Sequence, residues 1–244
     1  MGRAFEFRKG RKMKRWDRMS KDFTRIGKEI VMAVKEGGPN PDSNARLRTA
    51  IQNGKGVNMP KDRVDAAIKR ASSREEKDYQ EVVYEGYGPH GIAIVVETAT
   101  DNPTRTVSKV RLCFNRNSGA LGTSGSSDYT FTRKGVFKLA AEGLDRDELE
   151  LDLIDVGAED VYETHEEDEH GAEHAYMVIE TAFTDFGQMQ KALETKGLNV
   201  VSATLQRVPN TTVVLSDEQA EEVLTLIEKF EEDEDVQAVY HTMG

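Results

Sequence analysis

The sequence predicts an α+β protein, and three observations carry that prediction. Helical period governs the chain as far as Ala71. β-Branched runs set in near Tyr79. From there onward, strand-like and helix-like runs alternate through two rounds.

Taken in order, the first element is a helix from about Lys21 to Lys35. Phe23, Ile26, Ile30 and Val34 recur at helical spacing, and Lys21, Arg25, Lys28 and Lys35 fall on the opposite side. Gly37 and Gly38 stand where a C-cap is expected. Ser43 or Asn44 offers an N-cap for a second helix. Pro60 suits the first turn of a third, with Val64, Ala67, Ile68 and Ala71 on its inner side. The core of such a bundle is thin and poor in aromatics.

"EVVYEGYG" and "GIAIVVETAT" read as strands joined by a Gly-Pro turn. "DNPTRTVSKVRLCFNRN" returns to helical period, with Val107, Val110 and Phe114 on one face and Arg105, Lys109 and Arg116 on the other. "DYTFTR" and "GVFKLA" read as two more strands with a turn at Arg133–Gly135. The second round begins with "DRDELELDLIDVG" as a helix. "EDVYET" and "AYMVIETA" follow as strands, "DFGQMQKALETKG" as a helix ending at Gly197, and "NVVSATLQRV" as a strand. Ser216 and Gln219 form a capping box for a last helix with Val223, Leu224, Ile227 and Phe230 as its buried stripe, and "DVQAVYHTM" closes as a strand.

Charge divides the chain sharply. The net charge is -11, yet residues 1–80 carry 21 basic and 11 acidic side chains, and residues 141–244 carry 5 and 28. No apolar run is long enough for a membrane helix, and no apolar segment follows the basic residues as in a secretory signal. The single cysteine, Cys113, rules out a disulfide within the chain and suits a reducing, cytoplasmic setting.

The densest cationic block is Glu6–Arg25, with nine Lys or Arg against three Asp or Glu. Such a block attracts a nucleic-acid backbone by releasing counterions. Arg8, Lys9, Arg11, Lys12, Lys14, Arg15, Arg18, Lys21, Arg25 and Lys28 are the candidate phosphate contacts, and Trp16 is a candidate for stacking on exposed bases. Arg46, Arg48, Lys61 and Arg63 extend the patch if the helices fold together. The residues before Ser20 are expected to form a mobile arm, because like charges repel one another without a partner.

Other segments carry less. "HEEDEHGAEH" holds His165, His170 and His174, but its spacing matches no metal motif, so it reads as an acidic hairpin loop with no metal. "GALGTSGSSDYT" lacks the pattern of a phosphate loop and reads as a flexible connection. No catalytic constellation and no cofactor site is legible.

Several phrases in fixed order resemble a known family: "KEGGPNP", "NARLRTAI", "NMPKDRVDAAIKRA", "YEGYGPHGIAIVVET", "TDNPTRTV", "LGTSGSSDYTFTRKGVF" and "GAEDV". The chain resembles the YebC/PmpR family of regulatory proteins, which includes mitochondrial translational activators of cytochrome c oxidase. The resemblance implies a helical N-terminal domain (1–78) and two ferredoxin-like α+β domains. The third (141–209) would be inserted in the second (79–140 with 210–244). It implies a non-enzymatic regulator of gene expression, first as a DNA-binding transcriptional regulator. The alternative is a ribosome-associated translation factor that binds ribosomal RNA or tRNA. The acidic C-terminal part would be free for protein partners, and no membrane is involved. Arg105 matches the "TDN…RT" motif and completes the candidate contacts. Two departures stand out: "GRAFEFRKGRKMKRW" replaces a "GHSKW"-type start, and Pro103 replaces a residue that is often polar or basic.

Overall fold

The computed structural model describes residues 3–73, 78–127, 129–167 and 172–244, with residues 3–18 described by backbone alone. Helix α1 spans Arg3–Gly37, α2 Ala45–Gly56 and α3 Lys61–Ala71. The stretch before Ser20, expected as an arm, is therefore the first part of α1. Arg, Lys and Met are good helix formers, and here that propensity outweighs like-charge repulsion. Gly38 follows α1 with φ 84°. The Asn44 side chain then caps α2 by accepting from the Leu47 amide at 3.0 Å. Its amide nitrogen donates to the carbonyls of Ala33 (2.7 Å) and Gly38 (2.9 Å), so one side chain joins the end of α1 to the start of α2. Ile30, Val34, Leu47, Ala50, Val64 and Ala67 are buried among these helices.

Strands β1 (Gln80–Tyr87) and β2 (Ala93–Thr100) form an antiparallel pair around a short turn at Pro89–Gly91. Helix α4 (Pro103–Arg116) and the two-residue strand β3 (Ala120–Leu121) follow. β4 is one continuous strand, Phe131–Ala140. The turn expected at Arg133–Gly135 is absent, and β4 pairs with β6 (Glu173–Ala182) through partners such as Lys138 and Val178. Gly135 marks a close approach instead. A Cβ there would lie 2.6 Å from Thr181 Oγ1 and 2.8 Å from the Phe186 ring. The remaining elements are α5 (Arg146–Leu153), β5 (Ala158–Glu167), α6 (Phe186–Thr195), β7 (Val200–Pro209), α7 (Asp217–Glu231) and β8 (Val236–His241).

The strands make two four-stranded sheets, ordered β3-β1-β2-β8 and β5-β6-β4-β7. The last strand thus returns to pair with β2, Val96 opposite Val239. By their contacts the residues form two compact units: Met1–Ser73 with Arg133–Gln206, and Arg74–Thr132 with Arg207–Gly244.

In the first unit, the core beneath the sheet gathers Phe137, Leu139, Leu153, Ile179, Met189 and Leu193. Helix α2 lies along the edge strand β7. Asn53 donates to the Ala203 carbonyl (2.9 Å) and accepts from the Ala203 amide (2.8 Å), as a neighbouring strand would. In the second unit, α4 and α7 cover one face of the sheet, with Phe114 and Phe230 edge to face at 4.7 Å. The Ser216–Gln219 capping box is present. The buried stripe of α7 is Val223, Leu226, Ile227 and Phe230. Leu224, expected there, is 47% exposed, because the helix faces its sheet through Leu226.

Candidate nucleic-acid interface

The candidate cations fall into three groups. The side chains of Arg8, Lys9, Arg11, Lys12, Lys14, Arg15, Trp16 and Arg18 lie outside the described residues, although their backbone belongs to α1. Lys21 is half-buried on α1, and Lys61 is exposed at the start of α3. The others have structural partners or are buried. Arg25 lies 3.8 Å from Asp22. Lys28, expected on the outer face, is buried at 8% exposure. Arg46 bridges Glu36 (2.9 Å) and Glu29 (3.3 Å), tying α2 to α1. Arg48 holds Glu194 at 3.3 Å and donates to the Pro41 carbonyl.

Sequence reasoning passed over Lys55, Lys69 and Arg70, all exposed on α2 and α3. Exposed Arg63 reaches over the Phe23 ring at 5.3 Å. The signal for these was the helical period of α3, which leaves Lys61, Arg63, Lys69 and Arg70 outside its apolar stripe.

Arg105 belongs to a different cluster. Asp235 is 5% exposed, and its Oδ2 accepts from Arg105 (2.9 Å) and lies within hydrogen-bond distance of the Thr106 (2.9 Å) and Thr100 (3.3 Å) hydroxyls. Asp101 also accepts from Arg105 at 2.8 Å. The hydrogen bonds to Asp235 and then to Asp101 raise the guanidinium's pKa further. Asn102 caps α4 through the Arg105 amide. Pro103 then occupies a first-turn position, where no N–H is required, so the helix accommodates this departure without cost.

The "GALGTSGSSDYT" segment is pinned rather than loose. Glu85, 6% exposed on β1, accepts from the Gly125 amide (2.9 Å), the Ser127 amide (2.7 Å) and the Ser127 hydroxyl (2.7 Å). Burial alone would raise the Glu85 pKa. The Ser127 hydroxyl and the two amides, helped by Arg207, outweigh it and hold the carboxyl below the ordinary range. Asn210 clamps the far end, donating to the Tyr129 carbonyl (2.8 Å) and the Thr130 carbonyl (2.9 Å).

The histidine segment forms a strand pair, with His174 opposite Glu166 and His165 3.3 Å from Glu163. His170 lies outside the described residues. Among the described residues, no group of three or more His, Cys, Asp or Glu is arranged to hold a metal ion. Burial pushes the Cys113 thiol up to about 11, which makes it a poor nucleophile. No described helix is long and apolar enough to cross a membrane.

The chain is thus a mixed α+β protein with leading helices and two antiparallel sheets. Family models match nearly its whole length. Residues 3–74 match the TACO1/YebC N-terminal domain, and residues 79–243 match the TACO1/YebC second and third domain. The chain belongs to the TACO1/YebC family.

A probable transcriptional regulatory protein of Cytophaga hutchinsonii is 59% identical over 244 residues, covering 100% of this chain and 99% of that one. One of Flavobacterium johnsoniae is 55% identical over 243 residues, with 100% and 99% covered. The crystal structure of a conserved hypothetical protein from Aquifex aeolicus is similar at TM-score 0.78 and 37% identity, covering 92% of this chain and 90% of that one.

Proposed function

We propose that the chain is a non-enzymatic, nucleic-acid-binding regulator of gene expression that holds phosphates through the basic side of its N-terminal helices. The carrying observation is the charge of residues 1–80, 21 basic against 11 acidic, in a chain of net charge -11. A cationic region on a 35-residue helix offers phosphate contacts along a line, and the acidic remainder would be repelled from the polyanion. The transcriptional name of the relatives favours DNA as the partner. The acidic C-terminal part would then face protein partners, and the protein would work in the cytoplasm.

A second reading, ribosomal RNA or tRNA, is favoured by exposed Tyr87 and Tyr129, because exposed rings suit unpaired bases better than a stacked duplex. We further read the α+β parts as two ferredoxin-like domains, the one built on β4–β7 interrupting the other. The β4-α5-β5-β6-α6-β7 order supports that reading for the interrupting part. Crosslinking in cells, followed by sequencing of bound nucleic acid, separates the partners. Promoter DNA is the expected enrichment. Ribosomal RNA or tRNA would replace DNA with the second reading, and no enrichment of either would overturn both.

A further inference from the structure

A sheet edge with open N–H and C=O groups can take a further strand, and folded proteins protect such edges. Among the described residues, three of the four sheet edges are protected. β3 is only two residues long. β7 is met by Asn53. β5 carries Glu159, Asp160, Glu163, Glu166 and Glu167, and Arg146 takes its Val161 carbonyl at 2.9 Å. The fourth edge, β8, has six residues and no Asp, Glu, Lys or Arg.

The register of β8 on β2 fixes which of its groups are open. Thr242 donates to the Ala93 carbonyl at 3.1 Å, and Tyr240 and Ala238 stand opposite Val95 and Glu97. Backbone direction alternates along an antiparallel strand, so the N–H and C=O groups of Val239 and His241 turn away from β2. No described backbone group outside the sheet bonds to either.

Gln237, Val239 and His241 alternate with Ala238 and Tyr240, and Val239 packs against the core shared with α4 and α7. Three buried side-chain atoms lack a hydrogen-bond partner among the described residues, and two of them are on this strand: Gln237 Nε2 and His241 Nδ1. The first is a donor. The second is an acceptor when the ring is neutral, and burial favours the neutral ring, lowering the His241 pKa against the pull of the Met243 backbone and Glu231. Four residues of extended strand separate the two, so they cannot meet within one chain. They lie two residues to either side of Val239, which makes the strand complementary to its own reverse. A second copy of the chain therefore fits this edge better than an unrelated strand.

We propose that β8 pairs antiparallel with β8 of a second copy of this chain, about a two-fold axis at Val239. That axis sets Val239 against the partner's Val239 and Gln237 against the partner's His241. Gln237 Nε2 then donates to Nδ1 of the partner's His241, and symmetry repeats the bond. The Val239 N–H donates to the carbonyl of the partner's Val239. Two four-stranded sheets thereby join along their open edges.

Sedimentation velocity on the full-length protein over about 1–500 µM should show a reversible monomer–dimer equilibrium, weak because one strand pair buries less than a standard interface. Hydrogen exchange at the Val239 and His241 amides should slow as concentration rises, and exchange in β5 should not. Gln237→Leu removes the donor and should weaken the dimer about tenfold. The dilute monomer of that variant should resist heat at least as well as the wild type, since a buried donor without a partner has been removed. A monomer throughout the range would overturn the proposal. So would a dimer that Gln237→Leu leaves unweakened, or one that forms without slowing exchange at Val239.

Discussion

Glu85 and Asp235 show how single buried carboxylates shape this chain. Each accepts several hydrogen bonds, and each fixes a motif that the family resemblance singled out. Glu85→Gln removes the charge-assisted bonds to Gly125 and Ser127, and urea denaturation should show a loss of about 1–3 kcal/mol. Its pH dependence has a definite sign. Because the folded carboxyl sits below its ordinary range, its stabilisation is full above the unfolded glutamate value of about 4.3 and is lost as pH falls through the folded value. The variant should therefore lose less stability on acidification than the wild type; an identical acid profile would contradict this role. Asp235→Ala should cost a similar ~1–3 kcal/mol, since it strips an acceptor from the fully buried hydroxyls of Thr100 and Thr106. Thermal unfolding at neutral pH measures it.

Among the elements, α2 has a task beyond its own bundle. Asn53 gives the edge of β7 the hydrogen bonds that another strand would otherwise supply. Asn53→Ala should therefore lower stability by about 1–3 kcal/mol and speed hydrogen exchange at the Ala203 amide, with the far strands β5 and β6 little changed. Elements with strong local signals were legible in the sequence: the capping box of α7, the Asn44 cap, and the strand pair β1–β2. Those decided by distant contacts were not. Arg-Lys-Gly at 133–135 carries the chemistry of a turn, yet β4 passes straight through it because Phe186 and Thr181 fill the space beside Gly135. Leu224 and Leu226 both suit an apolar stripe, and only the packing of α7 on its sheet chooses between them. The reach of α1 to Arg3 was missed because its first turns have basic residues in place of an apolar period. At the candidate interface, composition located the cations, but their partners were invisible. Arg46, Arg48 and Arg105 each meet carboxylates distant in sequence or on another element.

At the scale of the whole molecule, charge is distributed asymmetrically: an otherwise acidic chain carries a cationic N-terminal region. Changing Arg11, Lys12, Lys14 and Arg15 to Glu should abolish nucleic-acid binding while leaving both sheets folded, as judged by circular dichroism and cooperative unfolding. The central claim, phosphate contact through this region, is tested most directly by the salt dependence of duplex DNA affinity in the wild type and that quadruple variant. With about six phosphates neutralised, log K should fall against log salt with a slope near -5, and the variant should show no measurable binding. A nearly flat salt response, or unchanged affinity in the variant, would contradict the account.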